Sequence, residues 1–198
     1  MINASDQAFH RALTFTLHRE GVDLAAGDTG FVDNPHDPGG RTNYGITQGT
    51  YDAWRNSQHW PTQDVRAITL GEVEQIYNRN YWHDGRCDLF ASDRPLLAIA
   101  HFDAAVNLGL RQAAKCLQRA VGVTDDGAIG DATLAAIGAC DERAAVSAYL
   151  ADRARVYRAI VERNPSSKEF LAGWLARCRW VARETGVPIG AEYAEGAP

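Results

Sequence analysis

The chain predicts a mainly α protein, one compact unit of two lobes with at most a small β-hairpin near residues 21–44. Three observations carry that expectation. Apolar residues recur at helical spacing through most of the sequence, and helix caps and stop signals punctuate it at short intervals. Only one stretch resists helix outright. It is "DNPHDPGGRTNYGIT", residues 33–47, where Pro35 and Pro38 push their neighbours toward extended backbone and Gly39 and Gly40 add freedom.

The elements follow in order. Asn3 or Ser5 can cap a first helix whose stripe is Phe9, Ala12, Leu13, Thr16 and Leu17, and Gly21 stops it. Thr47 caps a second helix, with Ile46 and Tyr51 at staple positions. "TLGEVEQIYNRNYW" opens with a capping box, Thr69 and Glu72, and Ile68 and Val73 stand where a hydrophobic staple puts them. "RPLLAIAHFDAAVNLG" is apolar almost all round, which predicts a buried central helix ending at Gly109. "LRQAAKCLQRAVG" stops at Gly122. After "TDDGAIG", Asp131 caps a short helix, and Asp141 caps a long one that ends before Pro165. Ser166 and Glu169 form a capping box for the last helix, and "AEYAEGAP" reads as a frayed tail. The weakest boundary is at "ASDRP", which sets the lobes at residues 1–94 and 95–190 with the tail at 191–198.

The 198 residues suffice for a substantial core, and 45% hydrophobic with 23% charged residues is ordinary for a soluble protein. A net charge of −5 argues against a nucleic-acid partner. No apolar run approaches the ~20 residues of a membrane span, so no membrane anchoring is expected. "MINASDQAFHRALTF" lacks the continuous apolar core of a secretory signal, so synthesis in the cytoplasm is expected and work outside it would need another exit. Cys87, Cys116, Cys140 and Cys178 form no C-x-x-C pair, which predicts buried or half-buried thiols, with disulfides formed after export as the alternative. There is no H-E-x-x-H and no paired histidine at ligand spacing; neither metal nor cofactor is expected.

Glu20 is the first candidate for chemistry. It lies three residues after Leu17, four after Thr16 and seven after Leu13, so it continues the apolar stripe of the first helix. A carboxylate on such a face is desolvated, which favours the protonated form that a general acid needs. The plainer alternative is an exposed helix-end Glu, or one paired with Arg19 or Arg41. Shortly after it, the Pro/Gly-shaped loop presents Asp33, Asp37, Thr42 and Asn43, all compact oxygen-bearing groups. Hydrolysis of a glycosidic bond needs an acid at the leaving oxygen and a second group that stabilises positive charge or positions water. A loop carboxylate with a hydroxyl supplies the second.

The string "HREG…FVDNPHDPGGRTNYGIT" resembles the N-terminal signature of glycoside hydrolase family 108, and "FDAAVNLGLRQAAKCLQRAVGVTDDGAIGDATLAAI" resembles the family's C-terminal half, described as a peptidoglycan-binding domain. The resemblance implies a lysozyme-like fold and an N-acetylmuramidase that cuts peptidoglycan glycan strands. It puts the family's acid on Glu20, its loop aspartate on Asp37 and the following threonine on Thr42. Phage-type lysozymes share the order Glu, Asp, Thr, an analogy of sequence order alone. The chain departs from the family pattern at Val22, where a second Gly is usual, and in "DLAAGDTG", which lengthens the segment before Phe31. Either those residues form a longer hairpin, or Asp28 replaces Asp37 as the second carboxylate. A monomer is expected, and with no signal peptide or spanning segment in the sequence, delivery of such an enzyme to the wall is expected through a holin or an export system.

Asn43, Tyr44 and Asn107 are the candidate substrate contacts: the first two lie within the signature, and Asn107 lies on the central helix. His101 and Asp103, two apart on that helix, cannot share one face, so they are expected to be satisfied core groups rather than metal ligands. "DDGAIGDAT" reads either as a wall-binding turn or as a plain helix–helix turn using Gly127 and Gly130. Of the aromatics between residues 44 and 82, Tyr51 and Trp54 are expected in the core. Two rival functions remain open. A lytic transglycosylase would use the same Glu, and a non-catalytic wall-binding protein would leave the DPGG loop unexplained.

Overall fold

The computed structural model describes residues 3–33, 40–188, 190 and 193. Asp37, and with it most of the DPGG string, lies outside the described residues. The chain divides into two compact units: Leu13–Asn80, and Met1–Ala12 together with Tyr81–Pro198. The division falls at Asn80, inside a π-helical stretch (Asn78–His83), and not at the "ASDRP" turn. Residues 81–94 join the larger unit because Trp82, Cys87, Phe90 and Ala91 are buried there, Trp82 with its ring 5.7 Å from Phe102.

The first helix, α1 (Ala4–Arg19), begins where Asn3 accepts from the Asp6 amide at 2.8 Å, so Asn3 and not Ser5 is its cap. Phe9, Ala12, Leu13, Thr16 and Leu17 are all buried, the stripe the spacing predicts. Gly21, at φ +85°, then takes a backbone conformation that side chains disfavour, and the helix ends.

In the smaller unit the β-structure is slight. Isolated bridges join Asp23 to Asp28 and Val32 to Thr42. The sheet itself is β1 (Thr42–Asn43) against β2 (Ile46–Thr47), antiparallel, with Thr42 opposite Thr47 and Asn43 opposite Ile46. It starts within the window expected for a hairpin and closes just past it. Thr47 caps α2 (Gln48–Ser57) by accepting from the Thr50 amide, and Tyr51 and Trp54 are the buried residues of that helix. α3 (Leu70–Tyr77) opens with both bonds of the expected capping box.

The core of the larger unit is α4 (Pro95–Leu108), buried at every residue from Leu97 to Ala105. It packs against α5 (Leu110–Ala120), α7 (Glu142–Arg163) and α8 (Lys168–Thr185). Gly109, at φ +81°, makes the turn from α4 into α5. Asp141 caps α7 through the Ala144 amide as expected. Two cap expectations fail. Asp131 is the first residue of α6 (Asp131–Ala139), with Gly130 in the cap position. Residues 165–167 coil into a 3₁₀ turn after Pro165, so Ser166 donates to Asn164 and α8 starts without a side-chain cap. All four cysteines are free thiols.

Polar groups on α4 are satisfied internally. His101 bonds the Gly85 carbonyl through Nε2 (3.0 Å) and the Tyr149 hydroxyl through Nδ1 (3.2 Å), and desolvation pushes its pKa down to about 4. Asp103, fully buried, meets Arg153 at 2.6 Å and Arg177 at 2.9 Å. Burial alone would raise the Asp103 carboxyl, but the two guanidiniums reverse that and hold it below its usual value.

Candidate active site

Glu20 stands one residue beyond α1, its amide still bonded to the Thr16 and Leu17 carbonyls, so its position is fixed by the helix rather than by a loose tail. It is half-buried. Two glycines of the following segment press on it. A Cβ on Gly30 would lie 3.3 Å from the Glu20 carbonyl oxygen, and one on Gly45 would lie 3.2 Å from Glu20 Cγ and 3.3 Å from its Cβ. The "TNYGIT" end of the signature is therefore folded onto the side chain of the candidate acid.

The hairpin does this through an unusual turn. Tyr44 and Gly45, the two residues between β1 and β2, have φ +53° and +72°, the pattern of a type I′ hairpin. Asn or Asp is the usual first residue of such a turn; a tyrosine there costs on the order of 1 kcal/mol. Two bonds hold it: the Tyr44 amide donates to the Thr29 carbonyl (2.9 Å), and the Tyr77 hydroxyl donates to the Tyr44 carbonyl (3.0 Å). Tyr77, from the last turn of α3, is buried, and its hydroxyl lies 2.7 Å from where a Gly45 Cβ would be.

The other expected site residues take different places. Thr42 is half-buried on β1, paired with Val32 on one side and Thr47 on the other, its hydroxyl 3.5 Å from the Gly40 carbonyl. Asn43 is 2% exposed and donates to the Val65 and Arg66 carbonyls at 3.2 and 3.4 Å. Burial leaves it no surface for a substrate, so its place is that of a pin between the hairpin and a 3₁₀ turn at Val65–Ala67. Tyr44 is buried as well, 7% exposed. Asn107 belongs to the larger unit, where its side-chain oxygen accepts from the Tyr157 hydroxyl and lies 3.5 Å from Arg153, in the network around Asp103.

Asp28 closes its own turn. Its backbone pairs with Asp23 in both directions (2.8 and 2.9 Å), and its carboxylate accepts from the Gly30 amide at 2.9 Å. The added residues thus form a small loop of their own. Residues 34–39 are flanked by a clasp in which Arg41 joins Asp33 (3.1 Å) to Asp64 (2.6 Å), while Arg66 lies 4.4 Å over the Phe31 ring. Among the described residues no group of three or more His, Cys, Asp or Glu is placed to hold a metal ion.

Sequence reasoning missed Gly45 and Tyr77. The aromatic–glycine pair between two short β-prone dipeptides was the available signal for a tight hairpin. Nothing in the spacing pointed from Tyr77 back to the turn.

Residues 13–109 match the family described as Glycosyl hydrolase 108, and residues 112–179 match the one described as Predicted Peptidoglycan domain. Among solved structures, that of Brucella abortus SagA is similar at 29% identity and a TM-score of 0.69, covering 92% of this chain and 97% of that one. No curated protein matches the chain.

Proposed function

The chain belongs to the glycosyl hydrolase 108 family and carries a peptidoglycan domain behind the hydrolase region, and from that premise we propose that it is an N-acetylmuramidase. A glycoside hydrolase of peptidoglycan is what the two regions make together. The finer reading is that the enzyme cleaves the β-1,4 bond between N-acetylmuramic acid and N-acetylglucosamine, with Glu20 as proton donor to the leaving oxygen. The observation that carries it is the packing of Gly45, from the family signature, against the Glu20 side chain. A carboxylate held at a helix end, half-buried and backed by a hairpin, supports the general-acid reading.

In this reading Thr42 holds or orients the attacking water, and Asp37 is the second carboxylate, stabilising positive charge at the anomeric carbon or activating that water. The separation of the two carboxyl groups decides between inversion and retention. Asp28 is assigned to the turn and not to the reaction, because its carboxylate already accepts from Gly30. Among the described residues no helix is long and apolar enough to cross a membrane, and delivery to the wall is assigned to a partner, a holin or an export system.

The test is digestion of purified peptidoglycan with product analysis by mass spectrometry. A muramidase leaves reducing N-acetylmuramic acid ends, whereas a lytic transglycosylase leaves anhydro ends and a wall-binding protein releases nothing. Glu20→Gln should lower the rate by about 10²- to 10⁴-fold, the usual contribution of a general acid. A variant within twofold of the parent would remove Glu20 from the mechanism.

A further inference from the structure

We propose that the larger unit holds a second binding site, a cationic pocket around Arg86 and Arg111 that takes the carboxylates of the peptidoglycan stem peptide. The proposal rests on the peptidoglycan reading above and names the part of that polymer this unit recognises.

The pocket lies between three segments: Asp84–Arg86, the first turn of α5, and the Gly127–Ile129 turn, with His101 at its base. An adjoining recess shares Leu110 and Arg111 and extends to Lys115, one helical turn further along α5. Three cations thus stand against one carboxylate, Asp84, on a chain whose net charge is −5. Among the described residues neither the Arg86 nor the Arg111 guanidinium has an ion pair or a hydrogen bond. Lys115 is partly answered by Asp125 and Asp126, whose carboxyl groups are held low chiefly by hydrogen bonds from Arg119 and Gln118 and, to a lesser degree, by Lys115. His101 adds no charge, being neutral and bonded to Gly85 and Tyr149.

Both arginines are positioned by backbone rather than by a counter-ion. Arg86 sits at φ +61°, a left-handed conformation rare for a long side chain, after Gly85, where a Cβ would run into the Tyr81 carbonyl. Gly127, at φ +83°, packs on the stem of Arg111: a Cβ there would lie 2.8 Å from Arg111 Cγ. That glycine is held in turn by Gln118, which accepts from its amide (2.8 Å) and donates to Asp126 (2.7 Å), while Arg119 ties Asp125 to Asp152. The "DDG" turn therefore commits its own acids to α5 and directs its glycine at Arg111. The first turn of α5 carries no acidic residue, and its cap, Gly109, offers no side chain. Such a rim favours an anion.

Peptidoglycan carries its free carboxylates on the stem peptides, because the lactyl carboxyl of the muramic acid is consumed in the amide that attaches the peptide. A pocket of guanidiniums therefore reads the peptide and not the sugar. Asp84 on the same rim suits the ammonium group of a diamino acid.

The test is calorimetric titration of the full chain with the tripeptide L-Ala-γ-D-Glu-diaminopimelate, and with the same tripeptide amidated at its carboxylates. The free acid should bind, the amidated form at least about tenfold more weakly, and salt should weaken the first alone. Arg86→Gln and Arg111→Gln should each lose about tenfold, and Gly127→Ala, which keeps every charge but displaces Arg111, should lose a comparable amount. Both arginines are exposed, so the variants are expected to fold, which circular dichroism checks. No binding of the free acid, equal binding of the amidated form, or unchanged affinity in both arginine variants would overturn the proposal. Glycan stripped of peptide by an amidase separates this from the activity. Cleavage of that glycan without tripeptide binding defeats the pocket alone, and tripeptide binding without cleavage defeats the muramidase alone.

Discussion

A methyl group on Gly45 would have to share space with the Tyr77 hydroxyl and the stem of Glu20, at a backbone angle that also disfavours it. Gly45→Ala should therefore shift Glu20 without changing any ionisable group, and a displacement near 1 Å is worth about 10²-fold in rate. The expected result is a large loss in turnover of peptidoglycan, with the circular dichroism of the parent. An active variant would mean that the hairpin does not position the acid. Thr42 and Asp28 make a second comparison. Thr42→Ala should lose substantial activity and Asp28→Ala little, measured on the same substrate, since Asp28 serves its own turn. The reverse ranking would move the second group to the inserted loop. At this scale the place of Glu20 behind a buried stripe was legible because helical spacing is a local property: three, four and seven residues back lie buried side chains. Gly45 and Tyr77 were not, because their contact joins positions 32 residues apart, which no short-range pattern encodes. Asn43 misled for the opposite reason: its side chain looked chemical within the motif and proved to be a buried pin.

Helix punctuation shows what a sequence can and cannot specify about elements. Thr47, Thr69 and Asp141 cap as expected, since a cap needs only a side chain and an amide two or three residues on. Ser166 fails because Pro165 starts a 3₁₀ turn before α8 can begin. α4 was recognised as buried from its unbroken apolar run, yet the partners of its one carboxylate come from α7 and α8, 50 and 74 positions away. Asp103→Asn should leave two buried guanidiniums without a counter-charge and destabilise the larger unit by about 3–5 kcal/mol, read from the denaturant midpoint. A loss below about 1 kcal/mol would mean that the three helices close equally well without the charge.

For the molecule as a whole, acid should act first through His101. Its folded pKa, about 4, lies below the unfolded value near 6.5, so its contribution is fully present above that value and is lost as pH falls toward 4. In that window the unfolded chain takes up a proton that the folded chain refuses, at up to about 1.4 kcal/mol per pH unit. Melting temperature followed from pH 7 to about pH 4 should fall more steeply in the parent than in His101→Gln; parallel curves would exclude His101 as the cause. The division into two units has a consequence in time. Residues 4–12 leave the ribosome before the residues they contact: Phe9 packs on Trp82 and Phe102, and Arg11 bonds Glu184, 173 positions later. At roughly 5–20 residues per second these opening turns of α1 wait several seconds or more for their partners. The first turns of α1 are therefore anchored only once the chain has been made as far as Glu184, long after the turns that lead to Glu20 have been synthesised.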